Sequence, residues 1–293
     1  MIFWSLSFIW FKDANKNFPP ITIIFIRLLF ASILLTVFLF VTKNYIKIKK
    51  GDLKLFLMLA LFEPFFYFLG ESFGLTYVSA TLGSVVISTI PVFATIGAWI
   101  IFKERLKSIN YAGIITSFIG VLVFILNTDG NISFNIKGLA LLMIAVLSAT
   151  GYNLTLSRLV GTYSPVLIVS VQNLIGTILF LPLFFIFDFK HFISAPYTFN
   201  MFKPIIELSV FASCGAFILF AWTVRNMGIT KTNVFTNCIP LFTALFSFIL
   251  MGDKLTVQNI IGMVIVITGL SMSQINGNKK SIDEALVYTG KTA

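Results

Sequence analysis

Charged residues are scarce in this 293-residue chain, at 11% of the sequence, whereas hydrophobic residues make up 58%. Soluble domains contain about 25% charged and roughly 45–50% apolar residues, so this composition excludes an ordinary soluble domain. The apolar residues form long runs rather than short alternating segments, which favours membrane-spanning helices over barrel strands. The sequence therefore predicts an all-α integral membrane protein.

Residues that hold metals or form disulfides are also nearly absent. The two cysteines, Cys214 and Cys238, lie in apolar segments without a ligand partner at suitable spacing, and the single histidine, His191, is predicted to lie in an outer loop. No metal site or disulfide framework is expected. The H-E-x-x-H and G-x4-G-K-[ST] patterns are missing, which disfavours an intramembrane protease and ATP-driven transport. No catalytic residue and no cofactor is predicted.

Basic residues outnumber acidic ones by 21 to 11. In a soluble protein this excess would suggest nucleic acid as a partner, but here the basic residues lie in loops between apolar runs. Most of them fall on one side of the membrane when the N-terminus is cytoplasmic, as the positive-inside rule requires. We therefore expect both termini to be cytoplasmic, and no nucleic-acid partner.

The chain is predicted to cross the membrane about ten times. The predicted spans are 1–12, 21–43, 53–74, 80–102, 108–126, 138–158, 165–187, 204–226, 230–251 and 256–275. The first is short for a crossing, which needs about twenty residues, so either the chain begins inside its first helix or this helix makes half a crossing. A cleaved signal peptide is not expected, because no basic leader or small-residue cleavage site is present.

One segment occurs twice, because residues 80–120 align with residues 229–269 at a constant offset of 149 positions. The matched residues include Pro91 with Pro240, Gly113 with Gly262 and Gly120 with Gly269. Five spans per copy is an odd number, so the second copy enters the membrane from the opposite face. The sequence thus predicts two inverted repeats, 1–127 and 138–275, and a cytoplasmic tail, 276–293. Inverted repeats recur in secondary transporters, with the substrate near the midplane.

A polar stripe accompanies the proline in the middle of the fourth and ninth spans. The spacing of three and four residues places its members on one helix face: Thr81, Ser84, Ser88, Pro91 and Thr95, and at the same offset Thr230, Asn233, Asn237, Pro240 and Ala244. We expect Pro91 and Pro240 to act as hinges, and Ser84, Ser88, Asn233 and Asn237 to line a cavity. Helix packing is the alternative for the prolines and for the two serines.

The third span contains two carboxylates, Glu63 near mid-membrane and Glu71 two turns further out, with Tyr67 between them. An acidic group inside the bilayer is costly and by default faces a cavity, a partner or a proton. Arg27 lies at a depth close to that of Glu71, so a structural ion pair between them is the favoured interpretation. Glu63 has no basic partner at its depth and is a candidate for substrate binding. Both carboxylates are candidates for proton coupling.

Four large amphipathic rings are further candidates for the cavity: Trp4, Tyr67, Tyr152 and Trp222. Each combines a large apolar surface with a polar atom that needs a partner. Interface anchoring or packing is an equally open interpretation.

Several short motifs have a familiar spacing. They are Trp4-x7-Lys12, Pro19-Pro20 before Arg27-Leu28, Pro91-Val92-Phe93 and K-E-R-L at 103–106, then Pro240-Leu241-Phe242, G-D-K-L at 252–255 and Gly262. Together they resemble the EamA-type family of the drug/metabolite transporter superfamily, over nearly the whole chain. The chain departs from that pattern at Ser5, where glycine is usual, and at Asp253, where glutamate is usual.

The resemblance implies a ten-helix inverted-repeat carrier of the bacterial inner membrane, an exporter of small metabolites such as amino acids or of toxic amphipathic compounds. Helices 1, 3, 4, 6, 8 and 9 would surround its central cavity. The interiors of spans four and nine lack Lys and Arg, which disfavours phosphate-bearing substrates. The alternatives left open are a channel or uncoupled facilitator and, as a remote case, an intramembrane enzyme. A proton or ion gradient as energy source and a monomer or homodimer are also open.

Overall fold

The structure is a computed structural model that describes residues 1–43, 46–94, 96, 107–125, 135–194, 196–253 and 255–275. These residues form helices and contain no strand. The helical segments are α1 (Ile2–Ala14), α2 (Pro20–Val41), α3 (Lys50–Tyr77), α4 (Ala80–Ala94), α5 (Ser108–Ile125), α6 (Ile136–Leu159), α7 (Pro165–Ser194), α8 (Phe199–Met227), α9 (Lys231–Met251) and α10 (Val257–Ser273). Six of them, α2, α3, α6, α7, α8 and α9, are long and apolar enough to cross a membrane. The predicted all-helical membrane character is confirmed.

Local signals set where these helices begin. Pro20 and Pro165 occupy the first turns of α2 and α7, where the missing N–H costs no helical hydrogen bond. Thr256 and Asn259 form a reciprocal capping box at the start of α10. Pro19 cannot cap α2 with a side chain, and instead Asp188 accepts hydrogen bonds from the Thr22 backbone N–H at 2.9 Å and from its hydroxyl at 2.8 Å. This contact joins the start of α2 to the end of α7.

Helices α5 and α10 pack with their backbones in contact. A Cβ atom at Gly113 would lie 2.3 Å from the backbone nitrogen of Ser273, and one at Gly269 would lie 2.3 Å from that of Ser117. Further along, Gly120 faces the backbone oxygen of Gly262. Since Gly113 meets Gly269 and Gly120 meets Gly262, the two helices run antiparallel. Any larger residue would force them apart.

Four helices are irregular near their middles. In α3, the helix breaks within the segment Leu61–Phe66, where Glu63 has extended backbone angles, φ −145° and ψ 116°. In α8, Leu208–Ala216 is a continuous π-type segment. In α4, regular helix stops at Ile87, followed by a turn before Pro91, and in α9 the 3₁₀ turn Phe235–Cys238 comes just before Pro240. A proline removes a backbone donor and its ring crowds the preceding turn, which accounts for both proline-linked irregularities.

Some boundaries differ from the predicted ones. The prediction for α7 stopped at residue 187, but the helix continues to Ser194, so His191 is an exposed helical residue and not a loop residue. The predicted tail 276–293, the motif at 103–106, Thr95 and the side chain of Thr230 lie outside the described residues.

Candidate functional site

A cavity that opens to solvent lies among helices α1, α2, α3, α4, α6, α8 and α9. Its polar lining comprises Trp4, Ser7, Arg27, Glu63, Tyr67, Glu71, Ser88, Tyr152, Asn153, Asn233 and Thr236. The apolar lining includes Phe8, Phe68, Phe217 and Phe220. The helices expected from the sequence all contribute, and α2 joins them through Arg27. Charges of both signs face this space.

Glu63 reaches this cavity from the break in α3. Pro64 supplies no backbone donor, and the Ser148 hydroxyl of α6 donates a 2.6 Å hydrogen bond to the carbonyl of Phe62, one of the acceptors at the break. The break is also tightly packed: Gly151 lies against the Phe62 ring and Gly176 lies against the Pro64 ring. The Glu63 residue is 6% exposed, and within the described chain its carboxylate forms no hydrogen bond and no ion pair. A ligand or a proton can therefore reach this carboxylate without displacing a protein partner.

Glu71 has a partner on its own helix, because the Tyr67 hydroxyl donates a 2.9 Å hydrogen bond to Glu71 Oε1. Both residues are about 8% exposed and both line the cavity. The spacing of four residues that brings them together is the one expected on a helix face. The two carboxylates of α3 thus differ, since one is held by a phenol and the other is free.

Arg27 is held by two neighbouring helices. Its Nε donates a 2.9 Å hydrogen bond to Ser213 Oγ of α8, and its guanidinium carbon lies 4.1 Å from the centroid of the Phe68 ring of α3. The Ser213 carbonyl in turn accepts a 3.1 Å bond from Asn173. The predicted ion pair with Glu71 is not found within 4.0 Å in the described part of the chain. Arg27 and Glu71 line the same cavity instead.

Hydroxyl and amide groups complete the polar lining. Tyr152 donates a 3.3 Å hydrogen bond to Gln172 Oε1 of α7. Ser88 donates to the carbonyl of Val85 in its own helix, so its oxygen keeps acceptor capacity toward the cavity. Asn233, like Thr236 on the next turn of α9, faces the same space. These groups suit a ligand with donors and acceptors.

Trp4 and two phenylalanines form an aromatic wall opposite the charges. Ring centroids of Trp4 and Phe217 are 5.3 Å apart, and those of Trp4 and Phe220 are 5.0 Å apart. Such tilted and edge-on arrangements are favourable between aromatic rings. They provide an apolar surface for the uncharged part of a ligand.

Not every predicted residue reaches the cavity. Ser84 is fully buried and donates to the carbonyl of Thr81, and Asn237 accepts a 3.3 Å bond from Gln274. Trp222 is 58% exposed on the outer surface of α8. Pro91 and Pro240 do not line the cavity, but each directly follows an isoleucine that does. Their predicted hinge role therefore remains a prediction.

Sequence reasoning missed several residues that line or shape the site, including Ser7 and Thr236 of the polar lining. Pro64 breaks the helix beside Glu63. A proline next to a glutamate in an apolar span could have predicted this break from the sequence. Asn153 was a polar residue in an apolar span and lines the cavity. Ser213 had no signal, because it is separated from Arg27 by 186 positions and serines commonly serve helix packing.

These observations define a multi-pass membrane protein with a charged internal cavity for a small molecule. The model of the EamA-like transporter family matches residues 1–126 and 136–274, and the chain belongs to that family. Membership implies a small-molecule substrate and a lipid environment, and it indicates a transporter rather than an enzyme.

Relatives and a solved structure agree with this assignment. An uncharacterized transporter of Archaeoglobus fulgidus is 28% identical over 92% of this chain and 93% of its own. The uncharacterized transporter YoaV of Bacillus subtilis is 20% identical over 96% of each chain. A crystal structure that is 13% identical aligns with a TM-score of 0.66 over 94% of this chain and 97% of that one, which shows a shared fold.

Proposed function

We propose that this protein is a secondary transporter that exports small metabolites, such as amino acids or toxic amphipathic compounds, across the bacterial plasma membrane by alternating access. The observation that carries the proposal is the cavity at the break in α3, where the Glu63 carboxylate forms no hydrogen bond and no ion pair within 4.0 Å with any described residue. A buried charge without a partner is costly to maintain, so it is expected to serve a function.

Two inverted five-helix repeats, residues 1–127 and 138–275, are the proposed architecture, with both termini and the tail 276–293 in the cytoplasm. The packing of α5 on α10 supports this. Gly113 and Gly120 match Gly262 and Gly269 in the sequence, while in space Gly113 meets Gly269 and Gly120 meets Gly262. Such a crossed pairing is what a two-fold axis between antiparallel helices produces.

The charges of the cavity restrict the substrate. The sequence places no Lys or Arg in the interiors of α4 and α9, but α2 supplies Arg27, while α3 supplies two carboxylates. Multiply charged phosphates remain disfavoured, because one arginine faces two carboxylates. Zwitterionic or cationic molecules with an apolar part match the polar groups and the aromatic wall.

Proton coupling is proposed for Glu63, with Glu71 as the second candidate. A carboxylate that opens to a cavity and lacks a protein partner can exchange its proton for a substrate cation. Alternating access would then expose Glu63 to each side in turn. Rigid-body movement of one repeat against the other is the usual form of that motion in inverted-repeat carriers.

An export assay tests the function. Cells that lack the protein and cells that overproduce it would be loaded with a panel of amino acids and toxic amphipathic compounds, and efflux would be measured. We expect overproduction to speed the efflux of at least one compound with saturable kinetics and with sensitivity to a protonophore. Efflux without saturation would indicate a channel, and no effect on any compound would contradict export.

A further inference from the structure

Arg27 supplies the positive charge of the cavity lining, and its neighbours hold it in a position to bind an anion. The residue is 3% exposed, its Nε is fixed by Ser213, and its planar group lies over the Phe68 ring. These two contacts hold the guanidinium from one edge and one face. Its two terminal nitrogens form no hydrogen bond with any described residue, and the residue lines the cavity.

The neighbouring carboxylates do not satisfy the terminal donors of this arginine. Neither Glu63 nor Glu71 approaches it within 4.0 Å in the part of the chain that the structure describes, and Glu71 is engaged by Tyr67. Arginine presents its donors as a rigid fork that fits a carboxylate in bidentate geometry. Both carboxylates attract the guanidinium through space, but neither forms a hydrogen bond with it, so the terminal nitrogens of Arg27 and the carboxylate oxygens of Glu63 stay available to a ligand.

We propose that Arg27 is the carboxylate-binding subsite of the transported molecule, while Glu63 receives its ammonium group. This inference rests on the proposed transport function and deepens it, since it names a small zwitterion that carries both groups as the substrate class. The aromatic wall of Trp4, Phe217 and Phe220 takes the apolar remainder of that molecule. Arg27 is then a specificity residue and not one half of a structural ion pair.

Three matched probes separate the two charges: leucine carries both, 3-methylbutylamine carries only the ammonium and 4-methylpentanoate carries only the carboxylate. Their binding to the purified full chain would be measured by calorimetry. We expect leucine to bind more tightly than 3-methylbutylamine, on the order of 10- to 100-fold, as expected for charge-assisted hydrogen bonds. Arg27→Gln should remove that preference without weakening the binding of 3-methylbutylamine, because it takes a positive charge away from the ammonium site. The exposed Arg225→Gln is the control and should change neither affinity.

Two more conservative variants keep the test decisive if Arg27→Gln does not fold. Arg27→Lys retains the charge but not the fork, and Ser213→Ala retains the arginine but removes the acceptor of its Nε. Each should weaken leucine binding by about 3- to 10-fold, with no change for 3-methylbutylamine. A structural role for Arg27 would weaken both probes equally.

The inference is overturned if leucine and 3-methylbutylamine bind the natural protein equally, or if Arg27→Gln weakens both to the same extent. It is also overturned if none of the three probes binds while reconstituted vesicles carry another solute with saturable kinetics. In that last case the transporter stands and only the zwitterion site falls. Vesicles without saturable transport of any solute would instead contradict the proposed function itself.

Discussion

Helices α3 and α8 both depart from a regular α-helix at corresponding positions, but they differ in backbone form and in chemistry. The break within Leu61–Phe66 of α3 and the continuous π-type segment Leu208–Ala216 of α8 overlap at the offset of 149 residues. At this offset Glu63, Tyr67 and Glu71 of α3 correspond to Ala212, Ala216 and Phe220 of α8. The comparison teaches that the two helices share the position of the irregularity, whereas the break and the carboxylates belong to α3.

The two irregular segments are also stabilised differently. The break in α3 depends on a neighbouring helix, through the Ser148 hydrogen bond to the Phe62 carbonyl. In α8, Ser209 bonds the carbonyl of Ile205 in its own helix, at 2.7 Å. The break in α3 is therefore clamped from outside, by the Ser148 bond and by the close packing of Phe62 on Gly151 and of Pro64 on Gly176. The α8 segment combines its local bond with hydrogen bonds that Ser213 accepts from Arg27 and Asn173.

The largest expected difference between the segments concerns their packing. Gly176→Ala would place a Cβ atom 2.3 Å from Pro64 Cγ, and Gly151→Ala would place one 2.6 Å from the Phe62 ring. Gly215 of α8 has only ordinary contacts, from 3.5 Å to the Phe3 ring. We expect each of the first two variants to lose about 1–3 kcal/mol of unfolding free energy through overpacking, and Gly215→Ala to lose none. Denaturation in detergent measures this, and equal losses at all three sites would contradict external clamping.

A smaller difference is expected for the two serines. Ser148→Ala removes the donor that a neighbouring helix supplies to the Phe62 carbonyl, which keeps the backbone N–H of Tyr67, and should cost about 0.5–1 kcal/mol. Ser209→Ala removes only a secondary bond to a helical carbonyl and should cost less. The same denaturation experiment compares them. A larger loss for Ser209→Ala would reverse the assignment of the clamp.

The smallest effect is expected at the exposed tryptophan of α8. Trp222 is 58% exposed and lies outside the cavity, whereas Trp4 packs on Phe217 and Phe220 in the cavity wall. Trp222→Leu should leave the KM for a transported compound unchanged, and Trp4→Leu should raise it. A raised KM for Trp222→Leu would mean that the outer face of α8 takes part in transport.

The sequence was sufficient to predict the class of fold, because long apolar runs form few structures other than membrane-spanning helices. It also located Glu63, since a carboxylate in such a run is expensive wherever it lies. It could not tell Trp4 from Trp222 or Ser88 from Ser84. In a membrane helix both the lipid-facing and the buried sides are apolar, so periodicity does not distinguish them.

Contacts between residues that lie far apart in the chain were the second feature that the sequence could not predict. Arg27 was paired with Glu71 by depth alone, but its orientation depends on Ser213, 186 positions away. Nothing local to either residue encodes that contact. The break at Glu63 was easier to predict, because Pro64 is the next residue in the sequence. Its contact with Ser148, however, again comes from a different helix.

The central claim, that the unduplicated Glu63 carries the chemistry of transport, is tested most directly in reconstituted vesicles. The rate of transport of an identified substrate would be measured against pH for the natural protein and for Glu63→Gln. Glu207→Gln, the same change on α8 at a residue outside the cavity, is the control. We predict that Glu63→Gln abolishes the pH-dependent component of transport while Glu207→Gln retains it. Unchanged pH-dependent transport by Glu63→Gln would contradict the claim.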